Sequence, residues 1–211
     1  MFRHLFIQYL WSDPRLFFSV AVLVIISICA HEFMHAYTAL KMGDDTAAQR
    51  GHLTFNPLKQ MGIFSLVLFC LFGLAWGRVP VDPGKMRGKY APALVAFAGP
   101  FTNIILSQIF LLLTYICFKA HFGDDFAVSM LFYGANINIV LFVLNMLPIP
   151  GFDGFTILCS IFPKFLTESS EAVKGTIFLL IMLLFVFFNK LFELARIITG
   201  FELVVLEWLI K

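Results

Sequence analysis

The sequence predicts an all-α polytopic membrane protein with about four to five transmembrane helices, a re-entrant segment and short interfacial pieces. Of its 211 residues, 60% are hydrophobic, 27 are Phe and only 13% are charged, whereas about 25% of the residues in a soluble protein are charged. The mean hydropathy of +0.90 is more than a soluble fold of this size could bury. A net charge of +2 gives no sign of nucleic-acid binding, so we expect a chain surrounded by the lipid bilayer.

The N-terminal part of the chain predicts one long helix between polar pieces. Residues 1–12 have the amphipathic character of a segment that lies at the membrane interface. Asp13 followed by Pro14 is a typical helix start, because Asp caps free amides and Pro fits the first turn. Segment A then runs from about residue 16 to 41, which as a helix is about 38 Å long and spans with some tilt. Residues 44–60 are polar and predict a loop or a short hairpin.

Further apolar stretches follow segment A, and we label them segments B to E. Segment B is short and contains Gly73 and Gly77, which weaken it as a spanning helix. A short apolar piece at 155–162 and an amphipathic tail at 201–211 complete the pattern. The segments are B at about 61–77, C at 91–118, D at 128–147 and E at 176–198.

Segment A carries the motif HExxH, formed by His31, Glu32 and His35. A spacing of four residues on a helix places the two imidazoles on one face about one turn apart, as two ligands of a tetrahedral zinc ion require. Glu32 follows the first imidazole and can act as general base on a water molecule at the metal. No Lys or Arg lies within one helical turn of Glu32 in the sequence, and a carboxylate inside a span marks function by default. The alternative is a helix end whose polar side chains reach the interface.

A zinc site of this kind needs a third protein ligand, and Asp153 is the strongest candidate. It follows Pro148 and Pro150, which prevent a continuous helix in that stretch. Non-helical backbone at membrane depth is tolerated where it lines an enclosed or water-filled cavity. A surface turn is the alternative for Asp153. Asp124 and Asp125 are the alternative ligands, although both lie in a loop with ordinary turn chemistry.

The order of four motifs along the chain resembles the site-2 protease family of intramembrane zinc metalloproteases. The first motif is HExxH in an apolar helix, and the last is LNxLPxPxxDG at 144–154. Between them, GDxTA at 43–47 with GxLTxNP at 51–57, and AGPxxN at 98–103, are also similar to that family. The resemblance covers about 13–160 and points to the compact branch without a PDZ domain.

The resemblance implies a zinc endopeptidase that hydrolyses peptide bonds within or near transmembrane helices of membrane proteins, as in regulated intramembrane proteolysis. It implies that His31, His35 and Asp153 hold one Zn²⁺ per chain. Glu32 is then the catalytic base, and Asn145 is a candidate oxyanion stabiliser. The implied partners are a transmembrane-helix protein or peptide as substrate and the lipid bilayer. Nothing in the sequence indicates an oligomeric state.

Other polar side chains in the apolar segments and loops have a simpler explanation. Asn103 in segment C and Asn136 and Asn138 in segment D are expected to form hydrogen bonds between helices, worth about 0.6–2 kcal/mol each. Asn145 differs from them because the resemblance gives it a functional role. His52 is expected to be an exposed loop histidine rather than a ligand.

The predicted ligands constrain how the chain crosses the membrane. His31 and His35 lie in the C-terminal half of segment A, and Asp153 follows segment D. Both regions must therefore end on the same side, which we call the near side. If segments B, C and D all crossed, Asp153 would lie on the far side. We expect segment B to be re-entrant or a membrane-dipping hairpin, and segments C and D to span.

The basic residues give an independent indication of orientation. With segment B not crossing, the near-side loops hold nine Lys and Arg residues and the far side holds three. Basic residues favour the cytoplasmic side, so we expect the active site to open to the cytoplasm from the inner or plasma membrane. The chain is treated as one integral-membrane metalloprotease domain over 1–211, with its core at about 13–160 and an accessory helix and tail at 163–211. The near-side residues are Lys41, Arg50, Lys59, Arg78, Lys85, Arg87, Lys89, Lys164 and Lys174, and the far-side residues are Arg3, Arg15 and Lys119.

Three other functions stay open on sequence alone. One is a zinc-binding membrane protein without catalysis, such as a transporter. A pure binding site, however, needs no carboxylate between its ligands, and transporters tend to have repeated halves. Another is a different membrane zincin with a glutamate as third ligand, for which Glu168 and Glu171 are the available residues. The third is an inactive relative that binds partner proteins.

Overall fold

The computed structural model describes residues 5–162 and 190–208, and the regular structure in those ranges is helical. Three long apolar helices, which correspond to segments A, C and D, are long enough to cross a membrane. The predicted all-α membrane class is thus confirmed. Segment E falls largely on residues 163–189, which lie outside the described ranges. Two 3-10 turns lie at Phe6–Gln8 and Pro83–Lys85. The helices are α1 Tyr9–Ser12, α2 Pro14–Lys41, α3 Thr46–Gln49, α4 Pro57–Gln60, α5 Gly62–Phe72, α6 Ala91–Lys119, α7 Asp125–Asn145, α8 Asp153–Ile161 and α9 at 190–208.

Aspartate caps fix the start of two spanning helices. Asp13 accepts a hydrogen bond from the Leu16 amide at 3.0 Å, with a proline at the first helical position, as predicted. Asp124 caps α7 in the same way by accepting from the Ala127 amide at 2.9 Å. Each cap satisfies an amide that the helix itself leaves without a partner. The guanidinium of Arg15 lies 2.6 Å from the Asp124 carboxylate, so α2 and α7 both start on the far side.

Helix α6 is central and packs against α2, α7 and α8. One core cluster joins Leu23 of α2, Phe110 and Leu111 of α6, and Ala135 and Ile137 of α7. Lipid tails are as apolar as these side chains, so close packing and buried hydrogen bonds hold such helices together. The three spanning helices therefore form a rigid frame for side chains that point between them.

Helix α9 packs on α7 in the opposite direction. The hydroxyl of Thr199 donates to Asn136 in the middle of α7 at 3.1 Å, and Glu207 pairs with Lys119 at the far end of α6 at 2.8 Å. The helix runs without a break through residue 200. Residues 201–208 of the amphipathic tail predicted at 201–211 continue helix α9, and Glu202 and Glu207 contact α6.

Segment B does not cross the membrane, as predicted. Helix α5 has 11 residues and is about 16 Å long, whereas the hydrocarbon core is about 30 Å thick. It ends at Gly73, which has a left-handed backbone with φ 75°, and the chain returns in an extended segment at 74–82. Ser65 bonds through its hydroxyl to both the carbonyl and the amide of Trp76, and the Arg78 amide donates to the Gln60 carbonyl. Segment B is therefore a hairpin whose two ends meet.

The polar stretch 44–60 contains two short helices, α3 and α4, which the predicted polar loop or short hairpin did not include. Asp44, with no exposed surface, accepts hydrogen bonds from the Thr46 amide at 3.0 Å and the Asp82 amide at 2.6 Å. Burial alone raises the pKa of the Asp44 carboxyl, but the hydrogen bonds from Thr46 and Asp82 outweigh it and hold that pKa below its ordinary value. The ionised carboxylate thus ties the end of α2 to the extended segment.

Candidate metal centre and active site

Two imidazoles of α2 and one carboxylate of α8 meet between the helices. His31 and His35 are buried, and their Nε2 atoms are 2.9 Å apart. The Oδ2 atom of Asp153 lies 3.1 Å from Nε2 of His31 and 3.3 Å from Nε2 of His35. The structure therefore brings together the three predicted ligands in a group that could hold a metal ion.

The other nitrogen of each imidazole shows where its proton lies. Nδ1 of His35 is 2.7 Å from the backbone carbonyl of Val95, and Nδ1 of His31 is 2.7 Å from Oδ1 of Asn103. Both oxygens only accept hydrogen bonds, so Nδ1 carries the proton in each ring. Each Nε2 then presents a lone pair, which is the form in which a histidine binds a metal.

The arrangement of these atoms fits a zinc ion. Three lone-pair atoms face one another, and Oδ2 of Asp153 is buried with no hydrogen-bond donor among the described residues. Ligand atoms of a tetrahedral zinc, with bonds of about 2.0–2.1 Å, are about 3.3 Å apart, close to the 2.9–3.3 Å measured here. Two imidazoles and one carboxylate are also a donor set of catalytic zinc sites, which keep a fourth position open.

Two glycines allow the backbone to approach this centre closely. Gly99 of α6 faces the imidazoles, and a Cβ atom there would overlap Nε2 of both His31 and His35. Gly154 lies just after the ligand Asp153, and a Cβ there would overlap the backbone carbonyl of Met146. The centre thus depends on the absence of side chains at these two positions.

Glu32 lies beside the centre and faces the extended segment. The residue is 7% exposed, and a Cβ atom on Gly77 would overlap its carboxylate. Among the described residues, no Lys or Arg forms an ion pair with Glu32. The carboxylate therefore packs against the backbone of Gly77, and no Lys or Arg side chain of the described residues neutralises it.

A cleft of about 330 Å³ opens at the centre, a size typical of ligand sites. The three predicted ligands, Glu32 and Asn145 all line it, together with the extended segment and the start of α8. Asn145 stands at the end of α7, and its Nδ2 donates to the carbonyl of Leu141 at 3.1 Å. The structure thus places Asn145 at the cleft, while its role as oxyanion stabiliser stays a prediction.

The alternative third ligands lie elsewhere. Asp124 and Asp125 are at the start of α7, about 30 Å along the helix from Asn145. The hydrogen bond from the Ala127 amide, and then the Arg15 guanidinium, hold the pKa of the Asp124 carboxyl below its ordinary value. Both carboxylates are therefore excluded as ligands of this centre, and Glu168 and Glu171 lie outside the described residues.

Sequence reasoning missed four residues at this site. Val95 and Asn103 orient the imidazoles, while Gly77 and Gly99 make room for Glu32 and the imidazoles. A signal was present for two of them, because Gly99 and Asn103 share the motif AGPxxN and lie on one face of a helix. Val95 acts through its backbone, which no sequence pattern reveals.

The chain is similar to several curated proteins. No family model matches it, and no solved structure matches it. Among curated proteins, the chain is 32% identical over 186 residues to "Putative zinc metalloprotease YwhC" of Bacillus subtilis (strain 168), and the alignment covers 85% of each chain. The chain belongs to the site-2 protease family.

Two further relatives extend the match to other organisms. One is "Putative zinc metalloprotease Rip2" of Mycobacterium tuberculosis H37Rv, 34% identical over 210 residues that cover 93% of this chain and 76% of the relative. The other is "Putative zinc metalloprotease MJ0611" of Methanocaldococcus jannaschii, 30% identical over 168 residues that cover 72% and 77%. As a site-2 protease family member with three apolar helices of spanning length, the chain is an integral membrane protein.

Proposed function

We propose that this protein is a zinc endopeptidase that hydrolyses peptide bonds within or near transmembrane helices of membrane proteins. The observation that carries the proposal is the convergence of His31, His35 and Asp153, with Glu32 beside them, in one cleft between membrane-spanning helices. Three ligands leave a position for water or substrate. Membership in the site-2 protease family supports the same reaction.

Glu32 is the residue to which we assign proton transfer. Its carboxylate takes a proton from the attacking water and returns it to the nitrogen of the leaving amine, since one group serves as base and then as acid. It lines the cleft and follows a ligand directly in the sequence, which places it within reach of the reacting atoms. Zinc, when bound at the three ligands, supplies Lewis-acid polarisation and activation of water.

Asn145 is the residue to which we assign stabilisation of the oxyanion. Its Nδ2 carries two N–H groups, and one of them is used on the Leu141 carbonyl. The other is available to donate to the scissile carbonyl oxygen as negative charge develops there. Because α7 holds the amide in place, this donor is positioned before substrate arrives.

The substrate that we propose is a single-span membrane protein or a remnant peptide. Carbonyl groups in a helix are already hydrogen-bonded, so a segment must unwind locally before its peptide bond can be attacked. Small or helix-breaking residues near the cut therefore favour cleavage. The cleft beside the extended segment offers the room for an unwound chain.

We assign the near side to the cytoplasm. The end of α2, the start of α6 and the end of α7 all lie on that side, and the loops there carry most of the basic residues. His35 is six residues before the end of α2 at Lys41, which places the centre about 9 Å inside that end. Water then reaches the cleft from the cytoplasm of an inner or plasma membrane.

The test is Glu32→Gln in purified protein. Because Gln keeps the size of the side chain but cannot accept the proton, bound zinc should stay at one ion per chain. Cleavage of a single-span helical substrate should fall by at least about 100-fold. Glu193→Gln removes a carboxylate from the exposed surface of α9 and serves as the matched control, with unchanged cleavage.

Two results would count against the proposal. Cleavage retained by Glu32→Gln would remove Glu32 from the mechanism. A wild-type protein that binds zinc and cleaves no helical substrate would favour the alternative, a non-catalytic zinc-binding membrane protein or transporter.

A further inference from the structure

A chain of buried hydrogen bonds connects the imidazole of His31 to the interior of the helix bundle. Asn103 on α6 accepts from His31, and its Nδ2 donates to Oδ1 of Asn138 on α7 at 2.9 Å. Nδ2 of Asn138 in turn donates to Oγ of Ser27 on α2 at 2.9 Å. Asn103, Asn138 and Ser27 are all 0% exposed, so bulk water does not replace any of them. The chain of hydrogen bonds therefore links all three spanning helices.

The orientation of each amide in this series of hydrogen bonds is fixed at its inner end by backbone carbonyls, which only accept hydrogen bonds. Ser27 gives its single proton to a backbone carbonyl one turn earlier at 2.7 Å, so it offers a lone pair to Asn138. The second N–H of Asn138 donates to the carbonyl of Gly134 at 2.9 Å. With both N–H groups used, the oxygen of Asn138 must face Nδ2 of Asn103. The oxygen of Asn103 must then face His31, because a reversed amide would set the oxygen of Asn103 against the oxygen of Asn138 with no proton between them.

We propose that Asn138 and Ser27 are positioning residues for the metal. They hold the amide of Asn103 in one orientation, so that His31 keeps its proton on Nδ1 and its Nε2 lone pair points to zinc. The inference rests on the proposed function, because it assigns a role at the same zinc site. Groups that orient a metal ligand from behind typically change metal affinity 10–100-fold.

Asn136 is a matched control on the same helix. It lies two residues before Asn138, is 1% exposed, and donates from Nδ2 to the Phe132 carbonyl at 2.7 Å, one turn earlier. Its Oδ1 accepts from Thr199 of α9, and within residues 5–162 and 190–208 these two side chains have no hydrogen bond to His31. Replacement of either Asn by Ala removes a buried amide of the same size and leaves a similar cavity.

The experiment compares Asn138→Ala with Asn136→Ala in the purified full-length protein. Zinc affinity is measured by competition with a chromophoric chelator, and stability by thermal unfolding without metal. The apparent Kd for zinc should rise at least about tenfold in Asn138→Ala and less than about threefold in Asn136→Ala, while both unfolding midpoints fall by similar amounts. Equal Kd values in the two variants would overturn the inference. A wild-type protein that binds no zinc would instead contradict the proposed function.

Two further variants keep the inference testable if Asn138→Ala does not fold. Ser27→Ala removes one hydroxyl from an intact helix and should raise the Kd by about threefold or more, and an unchanged Kd would overturn the role of Ser27. Asn103→Asp presents an acceptor to His31 in either orientation. In that background, a change from Asn138 to Ala should leave the zinc Kd within about twofold. A tenfold loss there would show that Asn138 acts by another route.

Discussion

Replacement of Gly99 by Ala should disrupt the metal centre more than the fold. A Cβ at this position would lie less than 3.0 Å from Nε2 of both His31 and His35, whereas ordinary contacts begin at 3.4 Å. Either α6 or the imidazoles must therefore shift by about 1 Å to relieve the overlap. Zinc–ligand distances tolerate only about 0.2 Å, so we expect zinc affinity to fall by at least about 100-fold. Overpacking costs about 1–3 kcal/mol, partly offset by about 1 kcal/mol of helix propensity gained on replacing Gly.

The assay for Gly99→Ala measures bound zinc and thermal unfolding in the same preparation. The protein is equilibrated with a zinc buffer, the metal content is determined, and the midpoint of metal-free unfolding is compared with wild type. Gly200→Ala is the control, since in the described part of the chain its added Cβ would meet no atom within 4 Å outside the local backbone of α9. That variant should keep its zinc and gain about 0.5–1 kcal/mol of stability. Wild-type zinc affinity in Gly99→Ala would refute the close-approach argument.

Three more predictions concern neighbouring parts of the structure. Gly77→Ala should keep its zinc but lose about 100-fold in cleavage, because the new Cβ displaces the Glu32 carboxylate; loss of both properties together would contradict this. Asp44→Asn should lower the free energy of unfolding at pH 7 by about 1–3 kcal/mol. Because the pKa of Asp44 is lower in the folded state, its contribution is present above about pH 4 and is lost as the pH falls further. Unfolding midpoints against pH should thus converge for wild type and Asp44→Asn in acid, and parallel curves would be evidence against the assignment. Arg15→Gln should leave the thermal unfolding midpoint close to that of wild type, since its pair with Asp124 is more than half exposed; a clear fall in that midpoint would show that the pair is structural.

The three residues that converge at the candidate metal centre could be predicted because each rests on a local rule. His31 and His35 share a face of any helix that carries both, whatever surrounds that helix. Asp153 was found through the prolines that precede it, which rule out a continuous helix there. The requirement that Asp153 reach the imidazoles then predicted that segment B returns to its own side. Helix α5, with its 11 residues, agrees with that prediction.

The residues around the ligands could not be predicted, because they depend on how one helix is rotated against another. A helix in lipid shows little contrast between its buried and exposed faces, so sequence does not indicate which side of α6 meets α2. Gly99 and Asn103 contact the imidazoles only because of that rotation. Asn136 and Asn138 illustrate the same limit. Both bond between helices as predicted, but the sequence does not indicate that Asn136 contacts α9 and that Asn138 belongs to the hydrogen bonds behind His31.

The hydrogen bond between Thr199 and Asn136 determines what detachment of α9 would cost. Lipid tails would cover the uncovered face of α7 almost as well as α9 does, so the loss of apolar contact would be small. The oxygen of Asn136, however, would lose the Thr199 hydroxyl, whose proton it shares with the Ala195 carbonyl, where no water is present to supply another donor. Detachment of α9 would thus leave one amide oxygen without a hydrogen-bond donor inside the hydrocarbon, and it would also break the pair between Lys119 and Glu207. Helix α9 is therefore held on α7 mainly by a polar contact, because apolar attraction between helices is weak inside the membrane.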